Sequence, residues 1–373
     1  MNKVRAIAFY LPQFHPTPEN NEWWGPGFTE WTNVAKAKPL YKGHIQPQLP
    51  SELGFYDLRI PEVREHQAVL AREYGIEAFC YWHYWFGNGR RLLERPFNEV
   101  LASGKPDFPF CLAWANETWE GRWHGADGRV LIEQQYPGDQ DYQAHFEALL
   151  PAFRDSRYLR VNDKPFFLVY HPADLPDPRR FTDLWRKLAA EAGLKGLTIL
   201  GMSVKAWDPV QAGFDGSIEA SPANLIKPYR AAVMREFQGR FLNRVWQRVA
   251  GRDFPFYAHP FSGHPLQYDY RKMIDLYPAT SCPEDVYPSV VSNWDNTPRS
   301  GRNGVVLTES HPLEYRRLLE KAAQRVISRP PEKRMIFIRS WNEWAEGNYI
   351  EPDARYGRAY LEATRDVVCR TDG

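Results

Sequence analysis

Several features that often identify a protein class are rare or missing in this chain of 373 residues. Its four cysteines, Cys80, Cys111, Cys282 and Cys369, are far apart, so the chain has no CxxC metal or redox motif. No apolar run reaches 18 residues, so we expect no membrane span. The short apolar run at the N-terminus meets Pro and His too soon for a signal peptide, which predicts a cytoplasmic protein.

An excess of charge of one sign is also lacking. The 47 basic and 46 acidic residues are mixed along the chain, and the formal net charge is +1. A nucleic-acid partner or an anionic membrane surface usually leaves a basic patch or run, so we expect neither partner. No GxGxxG follows the first predicted strand, which argues against a dinucleotide-binding fold.

Aromatic residues, in contrast, are abundant. They make up 15% of the chain and include 14 Trp and 20 Tyr, many of them beside polar residues in motifs rather than in apolar runs. The flat faces of Trp and Tyr are suited to stacking against the C–H faces of sugars. This composition favours an oligosaccharide or polysaccharide partner.

Short apolar runs alternate with amphipathic segments, which predicts a parallel α/β fold. Eight runs have the length and composition of strands: Val4–Tyr10, Ile76–Trp82, Phe108–Trp114, Phe166–Tyr170, Leu197–Met202, Phe214–Glu219, Ser289–Asn293 and Met335–Ser340. The helical segments between and after them include Pro61–Tyr74, Gln140–Phe153, Arg179–Ala192, Pro312–Ile327 and Tyr356–Val368. Eight such units predict a closed (β/α)8 TIM barrel rather than an open sheet.

Two predicted connections are long. Leu11–Tyr56 follows strand one, and Ser221–Pro288 follows strand six with a helical piece near Ala232–Val249. Long structured connections in a domain usually carry function. We expect residues 1–373 to form a single catalytic barrel with 221–288 as a long loop or helical insertion, and a separate small domain at 221–288 is the alternative.

The two acidic residues after strand eight are the strongest candidates for catalysis, because active sites of such barrels lie at the carboxyl ends of the strands. Glu343 and Glu346 are three residues apart and would share one face of a helical turn. Two carboxylates held close together repel, which raises at least one pKa. One can then act as an acid while the other stays ionised, as glycoside cleavage requires. The alternative is an ordinary helix start, where acidic residues are favoured.

Polar and aromatic residues also mark the other predicted strand ends. We expect substrate contacts from Tyr10, Trp82, His83, Trp114, Asn116, Glu117, Trp119, His171, Trp294, Asp295, Trp341 and Asn342, with Trp24 and Trp123 as further stacking candidates. Packing residues, loop caps and structural histidines are the alternatives, and Glu117 could itself be the acid. The spacing of His15, His83, Glu117 and His171 matches no metal signature, so we expect neither a metal nor a cofactor.

Six stretches of the chain resemble a known family. They are NEWWGPGFTEWTNV (21–34), PLYKGHIQPQLP (39–50), FCYWHYWF (79–86), CLAWANETW (111–119), NWDNTPR (293–299) and SWNEWAEGNYIEPD (340–353). Over nearly its whole length the chain resembles the WbsX-type family, which is found in polysaccharide and O-antigen loci and is often labelled glycosyltransferase. Its last two motifs and its barrel order are similar to glycoside hydrolase family 99, which contains endo-α-1,2-mannosidases and mannanases.

The resemblance to family 99 implies a mechanism. The family has Glu-Trp-His-Glu after its last strand, where this chain has Glu343-Trp344-Ala345-Glu346, so both glutamates match and the histidine does not. Carried over, Glu343 would deprotonate the 2-hydroxyl of the sugar, which displaces the leaving group and forms a 1,2-anhydro sugar. Glu346 would protonate the leaving oxygen and then activate water. Tyr10 matches a tyrosine near the reacting sugar.

Together the residues and the resemblance predict a retaining hydrolase of α-manno-configured linkages in a bacterial polysaccharide. Attack by O2 on C1 requires O2 to be trans to the leaving group, as in α-mannose and α-rhamnose but not in α-glucose. A glycosyltransferase is the main alternative, although the chain has neither a Gly-rich phosphate loop nor an acidic partner two residues from Asp269. A catalytically inactive glycan-binding barrel is the other alternative.

Overall fold

A barrel of eight parallel strands forms the centre of the computed structural model, which describes residues 4–121, 129–202, 207–238, 248 and 264–369. The strands are β1 (Arg5–Tyr10), β2 (Ile76–Trp85), β3 (Phe110–Trp114), β4 (Lys164–Val169), β5 (Thr198–Met202), β6 (Gly216–Ile218), β7 (Val286–Tyr287 and Ser289–Val291) and β8 (Met335–Arg339). Each pairs in parallel with the next, and β1 pairs with β8. The first piece of β7 pairs with β6 and the second with β8, so this interrupted strand completes the circle.

Helices cover the outside of the barrel and occupy the long connections. They are α1 (Pro18–Trp24), α2 (Glu30–Lys36), α3 (Pro61–Glu73), α4 (Arg95–Ser103), α5 (Asp139–Arg154), α6 (Pro178–Glu191), α7 (Ala223–Gln238), α8 (Tyr270–Leu276), α9 (Thr297–Ser300), α10 (Pro312–Val326) and α11 (Ala359–Val368). In α6 the side chains of Phe181, Trp185 and Ala189 repeat every four residues and are all fully buried, so they form the face that packs on the barrel. The side chain of Asp177 accepts the N–H of Arg180 and caps this helix at its start.

The barrel strands are buried on both faces, as expected for a parallel sheet covered by helices. The ring of Phe337 on β8 lies 6.0 Å from Phe9 on β1 and 5.7 Å from Phe166 on β4, which places all three in the barrel interior. Side chains alternate along a strand, so Arg339 shares the interior face with Phe337, one layer closer to the carboxyl ends. A cation is thereby placed at the mouth of an otherwise aromatic interior.

The structure confirms the predicted (β/α)8 barrel with long loops after strands one and six. The connection after β1 contains α1 and α2, and the one after β6 contains α7 and α8. Part of the helix predicted near Ala232–Val249 lies outside the described residues. In the described part of the chain, no helix is both long enough and apolar enough to cross a membrane.

A tight hairpin follows β8. Asn342–Glu343 pairs antiparallel with Asn348–Tyr349, and a 3-10 turn at Trp344–Glu346 connects the two pieces. Side chains three residues apart eclipse one another in such a turn, so Glu343 and Glu346 point to the same side. Gly347 ends the turn with a φ of +61°, a left-handed conformation that glycine adopts without steric cost.

Candidate active site

A cavity of about 290 Å³ lies at the mouth of the barrel, where the carboxyl ends of the strands meet. Seven residues singled out from the sequence line it: Trp24, Trp82, Glu117, Trp119, Trp294, Glu343 and Glu346. The connections after β1, β3, β6 and β7 all contribute to its wall. Residues that are distant along the chain therefore converge on one polar, aromatic site. Trp123, the other predicted stacking residue, lies outside the described residues.

The two glutamates differ in their hydrogen-bond partners. Oε1 of Glu343 accepts the indole N–H of Trp82 at 2.8 Å. Oε1 of Glu346 accepts Nη1 of Arg299 at 2.6 Å, whereas its buried Oε2 meets no donor of the described residues. The two carboxyl groups line the same cavity and interact electrostatically. Because two buried like charges repel, one carboxyl of the pair favours its protonated form.

The surroundings place that proton on Glu346. Burial raises the pKa of Glu343, but the Arg339 guanidinium and the neighbouring Glu346 carboxyl outweigh burial and hold this pKa below its usual range. Burial raises the pKa of Glu346 to about 8; the negative charge of Glu343 adds to the rise, and Arg299 opposes it. At neutral pH one carboxyl of the pair is thus ionised and the other protonated, the division that an acid–base pair needs.

Arg299 connects the catalytic candidate Glu346 to a second buried glutamate. Its Nε donates to Oε2 of Glu30 at 3.1 Å and its Nη2 forms an ion pair with the same oxygen at 3.0 Å, while Nη1 donates to Glu346. Sequence reasoning missed both Arg299 and Glu30. Arg299 is the last residue of the NWDNTPR stretch, and the position of that stretch at the end of strand seven could have indicated that Arg299 lies near the site.

Arg339 was also missed, although a charged residue in the apolar strand MIFIR was a visible signal. Its guanidinium carbon lies 5.5 to 5.8 Å from the ring centres of Trp82, Tyr170 and Trp294. Cation–π contacts of this kind hold a guanidinium against aromatic faces. The same three rings form the floor and wall of the cavity, so Arg339 stabilises both Glu343 and the aromatic surface.

Glu117 and His171 lie together near the cavity, after β3 and β4. Nε2 of His171 is 3.4 Å from Oε2 of Glu117, and the Glu117 side chain is 38% exposed. Trp119 packs edge-on against Tyr84 at 5.0 Å, with its ring bordering the cavity. These groups are accessible to a ligand, in contrast to the buried glutamate pair.

Three predicted contacts behind the β8 hairpin require correction, because their side chains are buried away from the cavity. The hydroxyl of Tyr10 donates to Gln67 on α3 at 2.7 Å and is buried on the helix side of the barrel. Asn342 accepts the N–H of Leu11 at 2.7 Å and donates to the Leu11 carbonyl at 3.1 Å. Trp341 is fully buried, 5.0 Å from Phe79. These residues fix the hairpin against β1 and do not line the cavity.

Three predicted contacts near β2 and β3 are corrected for the same reason. Nε2 of His83 is 2.9 Å from Nε2 of His145 on α5, with both rings buried. The indole N–H of Trp114 donates to the carbonyl of Trp85 at 2.9 Å. Both side chains face the helix layer. Asn116 exchanges hydrogen bonds with the backbone of His171 at 2.8 and 2.9 Å and so joins the loops after β3 and β4.

The buried His83–His145 pair should make stability depend on pH. Burial lowers the pKa of both rings, and in His145 the neighbouring His83 adds to this. Their stabilising contribution is therefore complete above the unfolded pKa of about 6.5 and is lost as the pH falls below it. We expect the free energy of unfolding of the wild type to fall by about 1.4 kcal/mol per pH unit more than that of His145→Gln between pH 6.5 and 5. Urea denaturation across this range measures the difference, and parallel curves would contradict the assignment.

In the part of the chain that the structure describes, no group of three or more His, Cys, Asp or Glu side chains is arranged to hold a metal ion. Of the residues considered for such a site, His83 faces α5 and His145, whereas His171 lies 3.4 Å from Glu117, which lines the cavity. Asp295 is buried and pairs with His44 rather than lining the cavity, a further correction to the predicted contacts.

Two solved structures with the same fold are described as a glycoside hydrolase-like protein and a glycoside hydrolase. A protein described as glycoside hydrolase-like superposes with a TM-score of 0.59 and 14% identity, over 98% of this chain and 94% of that one. The GH99 endo-α-mannosidase from Bacteroides thetaiotaomicron gives a TM-score of 0.56 and 16% identity, over 98% of this chain and 96% of that one. At these identities the similarity establishes a shared fold.

Sequence comparison identifies the family. The family described as Glycosyltransferase WbsX matches residues 6–364. A curated relative from Xanthomonas campestris pv. campestris (strain B100), named uncharacterized protein WxcX, is 41% identical over 368 residues, which cover 98% of this chain and 49% of the relative. The chain therefore spans about half the length of the curated relatives it matches. The match across nearly the whole barrel confirms the resemblance seen in the motifs, and the chain belongs to the WbsX family.

Proposed function

We propose that this protein is a retaining glycoside hydrolase that cleaves α-manno-configured linkages, of the mannose or rhamnose type, in a bacterial polysaccharide. One observation carries the proposal: two buried carboxyl groups line one cavity, and their surroundings push their pKa values apart. A pair with one ionised and one protonated member supplies a base and an acid at the same pH.

In the proposed first step the ionised Glu343 takes the proton from the 2-hydroxyl of the sugar. O2 then forms a bond to C1 while the bond from C1 to the leaving oxygen breaks. Glu346 gives its proton to that oxygen, and the product is a 1,2-anhydro sugar. The low pKa of Glu343 keeps it available as a base, and the pKa of about 8 keeps Glu346 protonated at neutral pH.

In the proposed second step the roles reverse. Glu346, now ionised, accepts a proton from water as the water oxygen bonds to C1 and the bond from C1 to O2 breaks. O2 recovers its proton from Glu343. Each step inverts C1 once, so the product retains the anomeric configuration. The first step needs O2 trans to the leaving group, which selects the manno configuration over the gluco configuration.

Residues around the pair supply the proposed binding surface. Trp82 and Trp294 present rings at the cavity wall, and Trp24 and Trp119 border it from the loops. Aromatic faces of this kind provide large rigid contacts to the C–H faces of sugars. We propose that Glu117, which lines the cavity, and the neighbouring His171 bind sugar hydroxyls. We also propose that residues 1–373 act as one catalytic barrel and that 221–288 is an insertion whose first residues, Ser221 to Ala223, complete the cavity.

The test of the proposed function is a screen with α-mannan and rhamnan oligosaccharides, in which mass spectrometry identifies the products. On any substrate that is cleaved, proton NMR during the first turnovers should show the α-anomer of the new reducing end before mutarotation. If the β-anomer forms first, the anhydro-sugar route is wrong, whereas a complete lack of cleavage would argue against hydrolysis itself.

A glycosyltransferase is the second candidate, because the family carries that description. A transferase should be stabilised by a nucleotide-sugar in a thermal-shift assay and should not hydrolyse the oligosaccharides. The cavity is small and aromatic and contains five glutamates, Glu30, Glu117, Glu120, Glu343 and Glu346, against two arginines, Arg299 and Arg339. That excess of acidic groups is unfavourable for a diphosphate and favours the hydrolase.

A further inference from the structure

We propose that the buried His44–Asp295 pair is a positioning device for Glu346, which it holds both through the backbone and through Arg299. The inference rests on the proposed role of Glu346 as the acid. It assigns Asp295, which does not contact the cavity, and His44, which belongs to the long connection after β1, to the catalytic geometry.

Asp295 is held from several directions. Its Oδ2 accepts Nε2 of His44 at 2.8 Å and Nε2 of Gln46 at 2.7 Å. Its Oδ1 accepts the backbone N–H of Thr297 at 3.1 Å and the Thr297 hydroxyl at 2.6 Å. Four donors to one buried carboxylate leave it little freedom to rotate, and replacing it by an amide would set an NH2 group against some of these donors.

The connection after β1 determines which nitrogen of His44 carries the proton. Nδ1 accepts the backbone N–H of Leu40 at 3.0 Å, so the Nε2 side of the ring donates to Asp295. The Tyr41 ring stacks on the imidazole with centres 4.5 Å apart and 4° between their planes. The side chains of His44 and Asp295 are 2% and 3% exposed. His44, which is 251 positions before Asp295 in the chain, is thereby fixed to the loop after β7.

The first link to Glu346 runs through the backbone. The N–H of Asp295 donates to the carbonyl of Glu346 at 2.6 Å. Gly347, the next residue, lies so close that an added Cβ would be 3.0 Å from the Cβ and N of Asp295. The chain at Glu346 therefore rests directly on Asp295, and a shift of Asp295 would move the turn that carries the acid.

The second link runs through Arg299. By accepting the N–H and the hydroxyl of Thr297, the Asp295 carboxylate fixes the start of α9, whose third residue is Arg299. Arg299 in turn donates to Oε1 of Glu346 at 2.6 Å. Loss of the two hydrogen bonds to Thr297 would release the start of α9 and weaken the contact between Arg299 and Glu346.

Groups from several elements surround Glu346, and they determine how its pKa would respond if the contact with Arg299 were weakened. Arg299 on α9 and Arg339 on β8 favour its ionised form, and Glu343 after β8 opposes it. Glu30 on α2 shares Arg299, and Tyr170 after β4 lies close enough to interact with Glu346. Because Arg299 opposes the rise in the pKa of Glu346, a displaced Arg299 should let that pKa rise further.

The test compares wild type, Asp295→Asn and His44→Ala. Each variant should lose about 10–100-fold in kcat with little change in KM, because a displaced acid impairs the reaction more than binding. The alkaline limb of the kcat/KM profile, set by Glu346, should move to higher pH. A role in folding alone would lower the active fraction without moving the limb. Asp141→Asn, which removes another buried carboxylate, on α5, where it accepts the Trp85 N–H at 3.0 Å, should behave as wild type.

A carbon-13 NMR titration of the Glu346 carboxyl, assigned by its loss in Glu346→Gln, gives the same information without a substrate. A higher titration midpoint for Glu346 in both variants supports the proposal. An unchanged midpoint in both folded variants overturns it, even if activity falls. If wild type hydrolyses nothing, the proposed function fails, while the titration still decides whether Asp295 positions Glu346.

Discussion

Replacing Glu346 by Gln should reduce the turnover of an oligosaccharide by about 10²–10⁴-fold, the usual contribution of a general acid–base residue. The substitution keeps the shape of the side chain but removes the transferable proton. It also removes the group whose pKa of about 8 sets the alkaline limb, so the residual activity should no longer fall above that pH. Steady-state kinetics from pH 5 to 10 measure both effects.

The leaving group separates loss of the acid from general damage to the site. An aryl glycoside with an acidic phenol as leaving group needs no protonation in the first step. The rate loss that Glu346→Gln causes in that step should therefore be much smaller on the aryl glycoside than on an oligosaccharide. Glu99→Gln, a change of the same size on α4, is the matched control and should leave both substrates unaffected. Equal losses on both substrates would contradict the role of acid. Full activity of Glu346→Gln in glycan binding, with no turnover in wild type, would support the non-catalytic barrel.

The sequence was sufficient to predict the barrel because its evidence is local. Each strand is a short apolar run, and the helices α3, α5, α6, α10 and α11 each have a buried face, as in Phe181, Trp185 and Ala189 of α6. The glutamate pair was predictable for a related reason, since a spacing of three residues keeps Glu343 and Glu346 together in any tight turn. Strand seven was the exception: its break at Pro288 is visible only in the pairing of its two pieces with β6 and β8.

Residues at strand ends were harder to assign, because one residue of register decides whether a side chain enters the cavity or the helix layer. Trp82 faces the cavity and donates to Glu343, whereas the next residue, His83, faces α5 and meets His145. Both follow the same apolar run in the sequence. Asn342 has an amide side chain of the kind that binds sugars, yet this amide forms its hydrogen bonds with the backbone of Leu11.

The electrostatic partners could not be predicted from spacing at all. Arg299 is 47 residues from Glu346, and Glu30 is 269 residues from Arg299. Only the closure of the barrel brings them together. The Arg339 guanidinium and the Trp82 N–H favour the ionised form of Glu343, whereas Arg299 moderates the raised pKa of Glu346.

Replacing Glu343 by Gln should be as damaging as the change at Glu346, by about 10²–10⁴-fold, but an activated leaving group should not repair it. Glu343 is proposed to remove the proton from O2, and this step is needed whatever group leaves. The loss should therefore appear equally with an oligosaccharide and with an aryl glycoside. Comparison of the two variants on the two substrates assigns the roles by their different responses.

A substrate that lacks the 2-hydroxyl tests the same step by removing the proposed nucleophile instead of the base. Wild type should lose most of its activity on a 2-deoxy aryl glycoside, because the internal nucleophile is missing. Glu343→Gln should lose little more on that substrate than on its 2-hydroxy counterpart, since enzyme base and substrate hydroxyl act in one step and their losses should not add. A strictly additive result, or a glycosyl ester on Glu343 trapped and identified by mass spectrometry, would show that the carboxylate attacks C1 directly. The ionised Glu343 accepts the Trp82 N–H and is stabilised by the charge of Arg339, so the 2-hydroxyl of the substrate is the variable that distinguishes attack by O2 from attack by the carboxylate.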